Sequence, residues 1–209
     1  ALNHPNITTI YEIDDAEGRC FIAMEYIEGR SVRQAVTGGG DSIDEILGMA
    51  IQIAKGLDAA HRKEVVHRDV KSDNIMVNEE GVVKITDFGL AKLKGVTKLT
   101  KEGTTVGTLQ YMSPEQVRGK GVDRRSDIFS FGVVLYEMIT GRPPFNGDTA
   151  AAFFNELLHK RPQQPRGLNP DISAETEAVI LRCLEKKPGN RYETATEFRE
   201  KLIESFEGK

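Results

Sequence analysis

The sequence predicts an α+β protein in which short strands come first and helices follow. Three observations carry that expectation: an apolar, aromatic run CFIAMEY at 20–26, a helical repeat of apolar residues opening at Ser42, and a stretch from Asp127 to Ile139 that is apolar nearly all round. The 20–26 run is short, bounded by EGR on both sides, and reads as a buried strand ending in a turn over 28–30. Ser42 and Glu45 form a capping box, and Ile43, Ile46, Leu47, Ala50, Ile51, Ala54 and Leu57 recur at helical spacing, which makes a long amphipathic helix. After the turn signal NEEG, VVKIT (82–86) reads as a strand with IMV (75–77) as its hairpin partner. The 127–139 stretch reads as a buried central helix, stopped by Gly141 and Pro143. Helices follow at about 149–160, 174–186 and 195–206, the last opened by Thr194 with Glu197 ahead of Phe198, Leu202 and Phe206. Gly38-Gly39-Gly40 and the stretch from Lys94 to Thr105 read as mobile loops.

Composition excludes several function classes. The 209 residues, 39% hydrophobic and 29% charged, suit a soluble globular chain with a sizeable core. Net charge is −4, from 32 acidic and 28 basic residues mixed along the chain, so no basic stripe marks a nucleic-acid partner. Cys20 and Cys183 stand far apart without a CxxC or a nearby His at ligand spacing. They read as reduced thiols, which places the chain in the cytoplasm. The longest apolar run, Phe129 to Ile139, is too short to span a bilayer and contains Glu137, so no membrane segment is expected. The start has no signal-peptide pattern, and Ala rather than Met at the first position reads as a fragment.

One constellation carries chemistry. His67-Arg68-Asp69, Lys71 and Asn74 precede the 75–77 strand, and Asp87-Phe88-Gly89 follows its hairpin partner. Closing the hairpin brings Asn74 and Asp87 out at the same end. Three oxygen-bearing side chains then converge with one ammonium. Phosphoryl transfer uses that set: hard oxygen ligands for Mg2+, an acceptor for a hydroxyl proton, and a cation near the migrating group. A solvated charged loop would explain any one piece, but not their order and separation together.

These motifs identify the chain as similar to the eukaryotic-type protein kinases, over essentially its whole length. SPEQ (113–116) resembles the family's APE element, Asp127 the Asp of its central helix, and Arg191 in NRY the Arg that pairs with the APE glutamate, here Glu115. The wording of DFGLAK, GTLQYMSPEQ and RSDIFSFGVVLYEMITGRPPF is closest to the Ser/Thr kinases of bacteria. The resemblance implies a kinase-like fold with two parts. Residues 1–30 would be the last two strands of the small lobe and the hinge. Residues 31–209 would be the helical lobe, with a catalytic loop at 67–74 and an activation segment at 87–115.

The resemblance also implies roles. Asp69 would accept or orient the proton of a Ser or Thr hydroxyl on a protein substrate, and Lys71 would sit beside the γ-phosphate of ATP. Asn74 and Asp87 would hold Mg2+, while His67, Phe88 and Gly89 would serve structurally. Met24 resembles the gatekeeper, Glu25 and Ile27 the hinge, and Met76 the floor under the adenine. Without the resemblance, each reads as an ordinary core residue. Lys71 and Thr108, the latter expected to bond Asp69 and Lys71, indicate Ser/Thr rather than Tyr specificity. Arg68 and Lys92 could face a phosphate on the activation segment, with Thr104 the expected phosphosite and Thr105 the second choice. Asp127 would be satisfied by backbone amides of the catalytic loop, and Glu115 with Arg191 would form a buried ion pair.

Other parts of a complete kinase are not in these residues: no Gly-rich loop, no VAIK-like lysine strand and no helix with its glutamate partner. The isolated chain is therefore expected to be inactive or very weak, with Phe21 and Ile22 uncovered. Intact HRD and DFG elements favour a truncated longer kinase over a pseudokinase. Two rival classes are a non-catalytic kinase-lobe binding module and, further behind, a small-molecule phosphotransferase. The latter lacks the SPE element.

Overall fold

The computed structural model describes residues 2–16, 19–88 and 109–207. Strands β1 (Ile10–Ala16) and β2 (Arg19–Met24) form an antiparallel pair. Strand β3 (Gly29–Ser31) then leads into helix α1 (Val32–Gly38), and helix α2 (Ile43–His61) follows. Strands β4 (Ile75–Asn78) and β5 (Val83–Ile85) complete a second sheet in the order β3-β4-β5, all antiparallel. The rest is helical: α3 (Pro114–Val117), α4 (Arg124–Thr140), α5 (Ala150–His159), α6 (Ala174–Cys183) and α7 (Ala195–Glu207).

Helix α4 is the axis of the core. Every residue from Ser126 to Ile139 is buried, which a helix apolar on all sides requires. It ends at Gly141, whose φ of 72° is a left-handed cap that glycine adopts without strain. Helix α6 packs on α4 and α7, and α2 packs on α7, β5 and α4. The Ser42–Glu45 capping box is complete: Glu45 N–H donates to Ser42 Oγ at 3.3 Å and Ser42 N–H to Glu45 Oε2 at 2.7 Å. At α7 only half the expected box forms. Glu197 N–H reaches Thr194 Oγ1, but the Glu197 carboxylate accepts from Glu193 N–H instead of Thr194 N–H.

Two local expectations are corrected. Strand β2 is not buried: Phe21 and Met24 are 42% and 38% exposed, because β1 is its only strand partner among the described residues. The expected turn over 28–30 is instead largely strand β3, held by β4. Gly29 is required there, since a Cβ would lie 2.1 Å from Val77 O. The chain's start is tied to the same sheet, with Thr8 N–H donating to Ile85 O and Ile85 N–H to Asn6 O, both at 3.0 Å.

A buried ion pair locks α3 to the region before α7. Arg191 Nη1 and Nη2 donate to Glu115 Oε1 and Oε2 at 2.7 and 2.8 Å, and Ser126 Oγ adds a bond at 2.6 Å. Burial alone would raise the Glu115 carboxyl, but Arg191 and Ser126 outweigh it and hold the group below the usual range. Arg191→Ala leaves that carboxylate buried and unpaired, and is expected to cost about 3–5 kcal/mol in denaturant unfolding. Lys160→Ala, which removes an exposed pair with Glu156, is expected to cost under about 1 kcal/mol. Equal losses would contradict the assignment.

Lys186 provides a pH test. Its Nζ is buried without a hydrogen-bond partner among the described residues, 3.7 Å from the Phe145 ring centroid. Burial, with Arg191 adding to it, lowers its pKa to about 7. Below that value both folded and unfolded chains carry the proton, so the cost of a buried charge is present in full. From about 7 to the ordinary lysine value of about 10.4 only the unfolded chain stays protonated, and stability rises with pH. Lys186→Met is expected to raise the melting temperature near pH 6, with a smaller gain near pH 9 (roughly, from those limits). A gain independent of pH would sink this reading.

Candidate active site

The β4–β5 hairpin sets the frame of the site. Ile75 pairs with Ile85 and Thr86 N–H donates to Asn74 O at 2.9 Å, so position 74 and the 86–87 step leave the sheet side by side. Asp87 leaves with a φ of 64°, unusual for a non-glycine residue.

Asp69 gathers the side chains of the loop over 67–74. Lys71 Nζ donates to its Oδ2 at 3.0 Å. Asn74 Nδ2 donates to the same oxygen at 3.2 Å and to Asp69 O at 3.0 Å. Both side-chain contacts use Oδ2 and neither uses Oδ1. The carboxylate is 38% exposed, so it is oriented by protein donors while open to an incoming group. The Asn74 bonds spend its amide N–H groups and turn its carbonyl oxygen the other way, as a hard cation ligand requires.

The loop backbone is held from beneath. Asp127 Oδ2 accepts from His67 N–H and from His61 Nε2, and Oδ1 from Arg68 N–H, each at 2.8 Å. Asp69 N–H donates to His67 Nδ1 at 3.2 Å, which leaves the His67 proton on Nε2, facing Thr86 O at 2.8 Å. The His67 ring packs on Phe88 with centroids 4.4 Å apart.

A second carboxylate, Glu137, holds the far end of the loop. It accepts from Ser72 Oγ, from Tyr111 OH at 2.7 Å and from Arg33 Nη1 at 2.6 Å. Arg33 also reaches Asp73 Oδ2 at 3.6 Å. Burial, reinforced by the Glu137 charge, raises the Tyr111 phenol above its ordinary value. Sequence reasoning missed Arg33, Ser72 and Tyr111 as members of this network. Its one visible signal was Glu137, a charge inside an apolar helix.

At the expected adenine end, Met24 closes β2, Ile27 is half-buried, and Met76 lies opposite Ser31 in β3 and Lys84 in β5. Glu25 N–H donates to Thr9 O at 2.9 Å and its carboxylate pairs with Lys84 at 2.6 Å. The bond from Lys84 lowers the Glu25 carboxyl below its ordinary value. Arg68 is half-buried, with Nε lacking a partner among the described residues. Gly89, Lys92, Thr104, Thr105 and Thr108 lie outside the described residues.

The protein kinase domain model matches residues 1–202. The chain is 41% identical to a probable serine/threonine-protein kinase of Clostridium acetobutylicum, covering 94% of this chain and 30% of that protein. It is 39% identical to the serine/threonine-protein kinase PknB of Mycobacterium leprae, over 100% of this chain and 34% of that protein. A probable serine/threonine-protein kinase of Streptomyces coelicolor is 39% identical over 100% of this chain and 32% of its own length. The chain thus spans about a third of the curated relatives it matches. Among the described residues no helix is long and apolar enough to cross a membrane.

Replacing Asp127 by Asn offers one acceptor where the loop and His61 present three donors. Asp127→Asn is expected to lose about 1–3 kcal/mol for each buried donor left unpaired. Amide exchange at His67 or Arg68 should quicken while α6 keeps its protection. Unchanged exchange at both amides would contradict the geometry.

Proposed function

The chain belongs to the protein kinase domain family, and on that premise we propose that it carries the catalytic lobe of a serine/threonine protein kinase that transfers the γ-phosphate of ATP to protein hydroxyls. One observation carries the reading: a partly exposed Asp69 carboxylate that, among the described residues, Lys71 and Asn74 orient through a single oxygen. The other oxygen is the natural acceptor for a substrate hydroxyl. The loose transition state asks mainly for alignment, so a weak base held in place suffices. Lys71, bonded to the first oxygen, offsets charge on the transferring group.

Asn74 and Asp87 are the residues that would hold Mg2+, which when bound neutralises charge on the phosphates. The donor set fits that ion. Among the described residues there is no group of three or more His, Cys, Asp or Glu suited to a metal, and Mg2+ is commonly held by one or two protein oxygens, water and substrate phosphates. Met24, Glu25, Ile27 and Met76 would receive the adenine. Residues 1–30 serve as the end of the small lobe and the hinge, and 31–209 as the helical lobe. Thr108 supports Ser/Thr choice, and Thr104 or Thr105 would carry a phosphate read by Arg68 and Lys92. Free Cys20 and Cys183 support a cytoplasmic setting.

In these 209 residues nothing supplies a Gly-rich phosphate loop or its lysine. Incubated with Mg-ATP and a Ser/Thr protein acceptor, the chain alone is expected to transfer little or no phosphate, and a form extended upstream to transfer it readily. In the extended form, Asp69→Asn should lower kcat by roughly 10²–10⁴-fold with the KM for ATP little changed. Robust turnover by residues 1–209, or an active Asp69→Asn variant, would overturn this.

A further inference from the structure

The peptide that joins Arg68 to Asp69 is held by a side chain to which the roles above assign nothing. Arg68 has a φ of 70°, a conformation that costs a residue with a Cβ about 1–2 kcal/mol and must be held from outside. Its N–H is fixed by Asp127. Its carbonyl accepts from Gln116 Nε2 at 2.8 Å. The N–H of the same peptide unit, that of Asp69, donates to His67 Nδ1 at 3.2 Å. Both polar atoms of the plane before Asp69 are therefore clamped, and the direction in which its carboxylate leaves the backbone is set with them.

Gln116 is rigid at its own base. Its Oε1 accepts from Ser113 N–H at 2.9 Å and its N–H donates to Ser113 Oγ at 3.4 Å, the capping box of α3. Its neighbour Glu115 is locked by Arg191. One amide thus does two jobs: its oxygen caps a helix and its nitrogen grips the catalytic loop.

We infer that Gln116 is a positioning residue for phosphoryl transfer, coupling the placement of residues 113–117 to the Asp69 carboxylate through the Arg68 carbonyl. The inference rests on the Asp69 role proposed above. A glutamate at this position separates the two jobs. It keeps the capping acceptor but, ionised, sets oxygen against the Arg68 carbonyl; protonated, it donates again. Half-buried and facing a carbonyl, that carboxyl would titrate above the ordinary glutamate range.

The test uses the full-length parent protein as wild type, Gln116→Glu and Gln116→Leu. Phosphate transfer, melting temperature and amide exchange at Asp69 are followed from about pH 5.5 to about pH 8. Gln116→Glu should lose about tenfold in kcat at the upper end, equivalent to about 1.4 kcal/mol of barrier, with KM for ATP unchanged. The deficit should shrink as pH falls. Its melting temperature should stay near wild type while Asp69 exchange quickens, and Gln116→Leu should be slow throughout. A Gln116→Glu to wild-type ratio that is flat with pH, or unchanged Asp69 exchange, would overturn the clamp. A wild-type protein that transfers no phosphate would overturn the functional reading instead, and exchange at Asp69 would still decide the clamp.

Discussion

Asp127 is a buried carboxylate on a largely apolar helix, and the loop over 67–74 depends on how that charge is satisfied. An ion in such surroundings is tolerated only if donors surround it. The donors here are His61 and two consecutive loop amides, one belonging to a residue in the left-handed region. The desolvation cost of the charge and the conformational cost of the loop therefore offset each other. Neither arrangement would persist alone.

Glu137 repeats the device ten residues along the same helix, about 15 Å away at the helical rise. It binds Ser72, and through Arg33 it also reaches Asp73. The segment from Arg68 to Ser72 therefore runs between the two carboxylates, tied to Asp127 at one end and Glu137 at the other. Asp69 and Lys71 lie within that stretch. Tyr111 and Gln116 add ties from the chain beyond residue 109. Loop precision thus comes from the fully buried helix at the centre of the core.

Much of this frame was legible in the sequence, for local reasons. The Ser42–Glu45 capping box, the hairpin turn and the largely apolar helix depend on residues within a few positions of one another. Asp127 was legible too, because an acid inside a largely apolar helix must be satisfied. What was not legible came from pairings distant in sequence. The exposure of β2 depends on which strands lie beside it, and β3 on Gly29 meeting Val77. Gln116 carried no role of its own within SPEQ, since only its amide nitrogen on the distant Arg68 carbonyl reveals the clamp. Arg33 offered no signal, being one exposed-looking cation among many.

Helix α4 holds the backbone of the loop over 67–74 in place through Asp127. Native-state amide exchange on the isolated chain, free of ATP and Mg2+, tests it directly. The His67 and Arg68 amides are expected to be protected to the same degree as the core of α4 and to open with it. Exchange at ordinary loop rates while α4 stays protected would contradict it.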